Sequence, residues 1–227
     1  MKDRSMEKEL IDQGGFTQDE YFDCLKKLHQ VGVVLGGDRA TLRVLRKLSY
    51  VPESILEIGC GGGYFTKTLA LSYPSAQVVG ADLSESAIRF AEDQQKPLPS
   101  NLSYKVQSEK SLNEFDPVDI ITTTLVCHHM TDDELVEFLR EAASLAQKEV
   151  IINDLHRSWI AYLFYAVIAP IVFNNRLITH DGLLSIKRSF RKADWERIRE
   201  RAKIRKSSWK LQWVFPFRWV VRIACEK

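Results

Sequence analysis

"ILEIGCGGGYF", residues 55–65, reads as a buried strand that runs straight into glycines, with Glu57 placed where the apolar run stops. Gly59, Gly61 and Gly63 alternate just beyond the strand end. Without a Cβ they let the backbone turn sharply and let a ligand approach the main chain. The helix expected from about Tyr64 adds free N–H groups at its start. The same rhythm repeats downstream. "AQVVGADLS" (76–84) is a second strand ending at Asp82, followed by the helical "SESAIRFAEDQQ" (84–95). "LSYKVQS" (102–108) and the β-branched "VDIITTTLV" (118–126) are the third and fourth strands. "DDELVEFLREAASLA" (132–146) has helical apolar spacing, and "EVIINDL" (149–155) is a fifth strand. Strands alternating with helices imply βαβ units, and near-continuous Val/Ile runs suit a parallel sheet covered on both faces.

Working outward, residues 17–49 read as two helices, Thr17–His29 and Arg39–Leu48, broken at "LGGDR" (35–39). Thr17 with Glu20 three residues on is a capping box. After Leu155 the pattern changes. "SWIAYLFYAVIAPIVFNN" (158–175) has no charged residue. A basic helix, about Ala193–Ala202, follows. "SSWKLQWVF" (207–215) and "RWVVRIAC" (218–225) meet at a tight corner and should pair as a hairpin. The expected organisation is an N-terminal helical cover, 1–50, and a main domain, 51–227, with a lid insertion at about 156–190.

The 227 residues suffice for a sizeable core, and 45% hydrophobic with 27% charged residues is an ordinary globular mix. Cys24, Cys60, Cys127 and Cys225 are scattered, which argues against a zinc site or disulfide framework; no metal is expected, and a reducing compartment is. "MKDRSMEKELIDQ" (1–13) lacks the apolar core of a signal peptide, so the expected location is cytoplasmic. Residues 1–150 carry 16 Lys/Arg against 24 Asp/Glu, whereas residues 176–227 carry 15 against 5. Two accounts fit this polarity: the ends attract each other within one fold, or a basic face awaits an anionic partner such as lipid headgroups.

Ligands of an open parallel sheet sit outside the carboxyl ends of its strands, where the three glycines lie. A phosphate-binding loop would need a Gly-Lys pair, and there is none. A dinucleotide fingerprint starting at Gly59 fails at Tyr64. What remains is a glycine turn preceded by Glu57 and followed, 19 residues after Gly63, by Asp82, whose carboxylate can hold both hydroxyls of a ribose. With no pyrophosphate implied, the ligand is nucleoside-like with an amino-acid-like tail.

Residues 54–155 resemble the class I S-adenosylmethionine (SAM) methyltransferases through "LEIGCGGG", "VVGADLS", "VQSEKSL" and "VDIITTTLVCHHM". The resemblance implies an α/β, Rossmann-like, seven-stranded, mostly parallel sheet with helices on both faces and an antiparallel last strand. It implies SAM as cofactor, with Glu57 and Gly59, Cys60, Gly61 and Gly63 around its methionine part. Asp82 would hold the ribose, Leu83 would pack on the adenine and Glu109 would accept from the adenine amino group. Thr124, Leu125 and Val126 would touch the cofactor from strand four. The insertion is similar to that of methyltransferases grouped with ubiquinone and menaquinone biosynthesis, where "NDLHR" (153–157) precedes an apolar segment and "HDGLLSIKRSF" (180–190).

Methyl transfer from a sulfonium is an in-line displacement, so orienting the reactants supplies most of the catalysis, roughly 7–11 kcal/mol, and a general base adds roughly 10²–10⁴-fold. The segment after strand four, "TTTLVCHH" (122–129), lacks the Asn/Asp-Pro-Pro-aromatic motif of exocyclic-amine methylation, so nucleic acid is not the expected partner. Aromatics and an apolar wall in the insertion suit a small hydrophobic acceptor, with a phenolic, quinol or polyketide-type hydroxyl as first choice. His156 or His180 is the candidate base, with Asp154 or Asp181 as orienter; His128 and His129 read as packing or helix-entry residues. C-methylation in quinone biosynthesis, and a non-catalytic SAM-binding scaffold, stand as alternatives. Arg39 either reaches the cofactor carboxylate or caps a helix. The apolar run reaches the lower limit for a spanning helix, but Pro170 and its polar ends favour a lid in peripheral contact with an anionic membrane.

Overall fold

A computed structural model describes residues 1–225. Three helices open the chain: α1 (Leu10–Gln13), α2 (Gln18–Val34) and α3 (Gly37–Leu45). β1 (Ser54–Ile58) leads through the glycines into α4 (Tyr64–Ser72). β2 (Gln77–Asp82), α5 (Glu85–Gln94), β3 (Leu102–Val106), β4 (Val118–Thr124), α6 (Asp132–Leu145) and β5 (Ala146–Leu155) follow. The insertion is a pair of helices, α7 (Trp159–Val172) and α8 (Arg176–Arg188), and α9 (Lys192–Arg201) precedes the hairpin of β6 (Trp209–Val214) and β7 (Arg218–Ala224).

The strands form one sheet in the order β3-β2-β1-β4-β5-β7-β6. β1 to β5 run parallel, and β7 is antiparallel to both β5 and β6. The chain steps outward from β1 to β3, then crosses back to β4, so the strand order reverses between β1 and β4. A crevice at that switch point is where such sheets take ligands. Alternate strand residues face opposite layers. Ile55, Ile120 and Ile151 pack on Leu42 and Leu45 of α3 and Phe65 and Leu69 of α4. Leu56, Ile121 and Val150 pack on Leu135 and Leu139 of α6 and Trp195 of α9.

The capping box forms as read: Thr17 and Glu20 each accept the other's backbone N–H. α2 runs past His29 to Val34, because nothing breaks it before Gly36, which turns left-handed with φ 65°. The first residues form a strap over α6 and α8. The Arg4 guanidinium donates to Asp132, Met130 O and Arg188 O, and buried Arg157 donates to Lys2 O. Much of the C-terminal positive charge meets N-terminal acids, in the pairs Arg176–Glu20, Arg197–Asp132, Arg201–Asp133 and Arg222–Glu149. No helix among the described residues is long and apolar enough to cross a membrane.

Candidate active site

β1 delivers its chain to the switch point through Gly59, at φ 71°. A Cβ on Gly59 would lie 2.3 Å from Val126 Cγ2, and one on Gly63 (φ 72°) 2.4 Å from the Tyr104 hydroxyl, so a side chain at either would drive strand-end and loop apart. Gly59 N and Cys60 N donate to Ala81 O, which welds the turn to β2. Asp82, at the end of β2, accepts from Gly61 N (2.8 Å) and Ser84 N (2.9 Å). Ser84 separately caps α5 through Ala87 N, so the Asp82 carboxylate is a loop clamp rather than the helix cap. Cys60 is buried, and burial pushes its thiol well above the usual range.

Glu57 is 2% exposed and accepts one hydrogen bond, from Thr66 Oγ1 at 2.6 Å. Burial, opposed by that bond and aided by Asp38 and Asp82, pushes its carboxyl up to about 8. Burial also raises Asp82 and Asp38. In each the main cause is burial, opposed at Asp38 by His29 and Arg218, so these are desolvated carboxyls that a cationic ligand would draw to their charged form. Thr124 Oγ1, at the end of β4, is buried with no partner, as are Thr122 and Thr123 Oγ1. Leu125 takes φ 60°, a strained conformation for a side chain of its size. On the far side, the Arg218 guanidinium is buried, its Nε has no partner, and Nη1 reaches only Asn153 Oδ1 at 3.4 Å. The turn, the orphaned hydroxyl and these carboxyls fit a sulfonium nucleoside with an ammonium tail.

A histidine outside the insertion, His128, has the most deeply buried carboxylate partner. Asp154, wholly buried at the end of β5, faces the tight turn Cys127–His129 that follows β4. Its carboxylate takes His128 N at 3.1 Å and His128 Nδ1 at 2.7 Å. Burial alone would raise the Asp154 carboxyl, but His128 and Leu155 N–H hold it below its usual value. An ionised partner makes Nδ1 the donor and leaves Nε2 as the free acceptor. The nearest carboxylate to Nε2 is Glu9, from the N-terminal strap, at 3.7 Å. Glu9 is buried and accepts from Ser185 Oγ; desolvation, opposed by His129, pushes its carboxyl up to about 7. His129 Nδ1 sits 3.1 Å from Asp12. Glu9, His128 and His129 place one ligand atom each within 4.8 Å of one another, with Arg188 Nε 3.8 Å from Glu9 as a competing positive charge.

His156 and His180 are not brought to this place. His156 Nδ1 accepts from Trp213 Nε1 at 3.2 Å, and burial with Arg191 and Arg157 nearby lowers its pKa; its ring stands edge-on to Trp219, with no carboxylate to orient it. His180 is half exposed on α8. Its Nδ1 does meet Asp181 Oδ1 at 2.9 Å, the pairing expected of it, while the same carboxylate also accepts from Leu10 N and Ile11 N at the start of α1. Glu109 and Leu83 stand in solvent; Gln107 and Leu112 are the buried residues of the loop after β3. Arg39 is exposed on α3.

Known proteins share this fold and part of this sequence. The family described as a methyltransferase domain matches residues 55–149. The chain is 30% identical over 138 residues to the ubiquinone biosynthesis O-methyltransferase of Coxiella burnetii, across 56% of this chain and 57% of the relative, so it spans little more than half of that protein's length. A shorter stretch of 56 residues, 23% of this chain and 20% of the relative, is 46% identical to the malonyl-[acyl-carrier protein] O-methyltransferase of Legionella pneumophila. Among solved structures, a SAM-dependent methyltransferase from Aquifex aeolicus superposes with TM-score 0.65 at 17% identity, over 92% of this chain and 99% of that one. Human N-acetylserotonin methyltransferase, solved with SAM, gives 0.66 at 12% identity, over 93% and 57%.

Proposed function

We propose that the chain is a class I SAM-dependent methyltransferase, an enzyme transferring a methyl group from SAM to a hydroxyl of a small apolar acceptor, with His128 as general base. When bound, the cofactor supplies an electrophilic methyl on a positively charged sulfur. Glu57 and the turn from Gly59 to Gly63 would hold its amino-acid part, Asp82 its ribose, and Thr124 would offer its spare hydroxyl from β4. The acidic surroundings favour the positive donor over its neutral product, which helps product leave.

The observation that carries the hydroxyl reading is the buried Asp154–His128 pair, which leaves Nε2 as the acceptor nitrogen, with the Glu9 carboxylate 3.7 Å from it. A hydroxyl gains nucleophilicity as it loses its proton. Nε2 takes that proton, and Asp154, already bonded to Nδ1–H, stabilises the imidazolium that results. Relatives named as O-methyltransferases support oxygen as the accepting atom. C-methylation needs a base as well, so the product decides between them. The test is mass spectrometry of wild-type reactions with SAM and a panel of apolar phenols and quinols. A methyl ether supports the proposal. A ring-methylated product refutes oxygen as the acceptor, and SAM binding without turnover on any member of the panel favours the scaffold.

A further inference from the structure

α7 has an unusual face. Ile160, Leu163, Phe164, Val167, Ile171 and Val172 are each between 59% and 78% exposed, and only Ala161 and Ala169 of this helix are buried. The helix attaches to α8 through its other side: Tyr165 lies over Gly182, where a Cβ would come 2.3 Å from the ring hydroxyl, and donates to Ile178 O. Four turns of bare aliphatic and aromatic side chains exceed what a monomer in water ordinarily shows.

We propose that α7 is an interfacial anchor, lying flat in the surface of an anionic phospholipid membrane with its apolar stripe at the acyl boundary and Lys187 and Lys192 among the headgroups. Fourteen residues span about 21 Å along the helix axis, short of a crossing. Trp159 stands at the N-terminal end of the stripe, edge-on to Tyr162, as aromatic residues do at such interfaces. Lys187 Nζ lies 5.2 Å over the Tyr162 ring, and Lys192 is exposed at the start of α9. At the other end Glu20 and Asp23 are engaged by Arg176, Lys27 and Asn175, so they leave little free negative charge to repel lipid. A second copy is the poorer occupant, because two such faces would bring the same lysines together, whereas lipid phosphates neutralise them.

This placement bears on the acceptor, and in that respect it rests on the methyltransferase reading. α7 holds α8; α8 holds the strap through Asp181 to Leu10 N and Ser185 to Glu9; and Glu9 faces His128. The anchor and the base are thus joined by direct contacts, and the acceptor class that fits is a lipid-soluble hydroxyl compound drawn from the bilayer.

The experiment is co-sedimentation of the full chain with vesicles of phosphatidylcholine, alone or with about a third phosphatidylglycerol, at low salt. Wild type should pellet with the anionic vesicles. The double variant Leu163→Glu/Val167→Glu should partition at least roughly tenfold less, and Lys187→Glu/Lys192→Glu should lose the preference for anionic lipid. The first should keep the wild-type thermal midpoint, because Leu163 and Val167 are largely exposed, and the second should lose no more than the Lys187–Tyr162 contact contributes. Wild type left in the supernatant with both vesicles overturns the anchor. So does vesicle binding that survives the Leu163/Val167 change, or a dimer that this change dissociates in the absence of vesicle binding. Calorimetry with SAM is read separately: a chain that pellets but does not bind SAM keeps the anchor and loses the methyltransferase proposal.

Discussion

His128 shows how much chemistry one position can acquire from its neighbours. Its backbone and ring both belong to Asp154, so the ring cannot turn and only one nitrogen is available. Replacing it with Asn should lower kcat by roughly 10²–10⁴-fold while SAM affinity, measured by calorimetry, stays within a factor of about two. His156→Asn and His180→Asn should leave kcat nearly unchanged; a large loss in either would return the base to the insertion. Glu57 makes a second prediction. Its carboxyl lies at about 8 and that of Glu9 at about 7, both raised from 4.5. The folded chain therefore binds these protons more tightly than the unfolded chain, and the stability they contribute is complete below about pH 4.5 and lost as pH rises through about 7 to 8. The melting midpoint of the ligand-free protein should fall across that window, and Glu57→Gln should flatten the fall. A cationic ligand draws Glu57 to its carboxylate form, so SAM binding at pH 7 should release about one proton, seen as a buffer-dependent heat. Equal heats in buffers of different ionisation enthalpy would place Glu57 away from the ligand.

At the scale of elements, the turn between β1 and α4 is the least tolerant segment. Gly59→Ala combines a left-handed backbone with a contact to Val126 that cannot exist. It should cost about 1–3 kcal/mol in urea denaturation and weaken SAM binding, because the displaced partner sits where β4 ends. The strands and this turn were legible in the sequence: "ILEIGCGGG", "VVGADLS" and "VDIITTT" carry β-branched runs that stop at Gly, Asp or Thr, which are local signals. The Asp154–His128 pair was not. Its members are 26 residues apart, and only the neighbouring of β4 and β5 sets them side by side. The sheet order expected from the family would have placed the end of "EVIINDL" against "LVCHH", so that signal was available but unused. The strap had none. Arg4 and Glu9 find partners on the turn after β4 and on α8, and no periodicity in residues 1–16 announces them.

Across the whole molecule, the opposite charges of the two ends are largely an internal affair, as the pairs from Arg176 to Arg222 show. Arg222 is the most consequential, because Glu149 is buried beside it where β5 meets β7. Arg222→Ala strands that carboxylate and should cost about 2–3 kcal/mol, read as a lower urea midpoint with an unchanged slope. Lys187, over the Tyr162 ring, is the basic residue that meets α7, and it is there that the second account of the charge polarity is put to the test. The strap that closes over this assembly also carries an obligation. The space in front of His128 Nε2 already has a tenant, the Glu9 carboxylate, tethered by Ser185. With His128 as the base, an incoming hydroxyl would have to displace that carboxylate, and the segment around Glu9 would have to part from the turn after β4 to admit it.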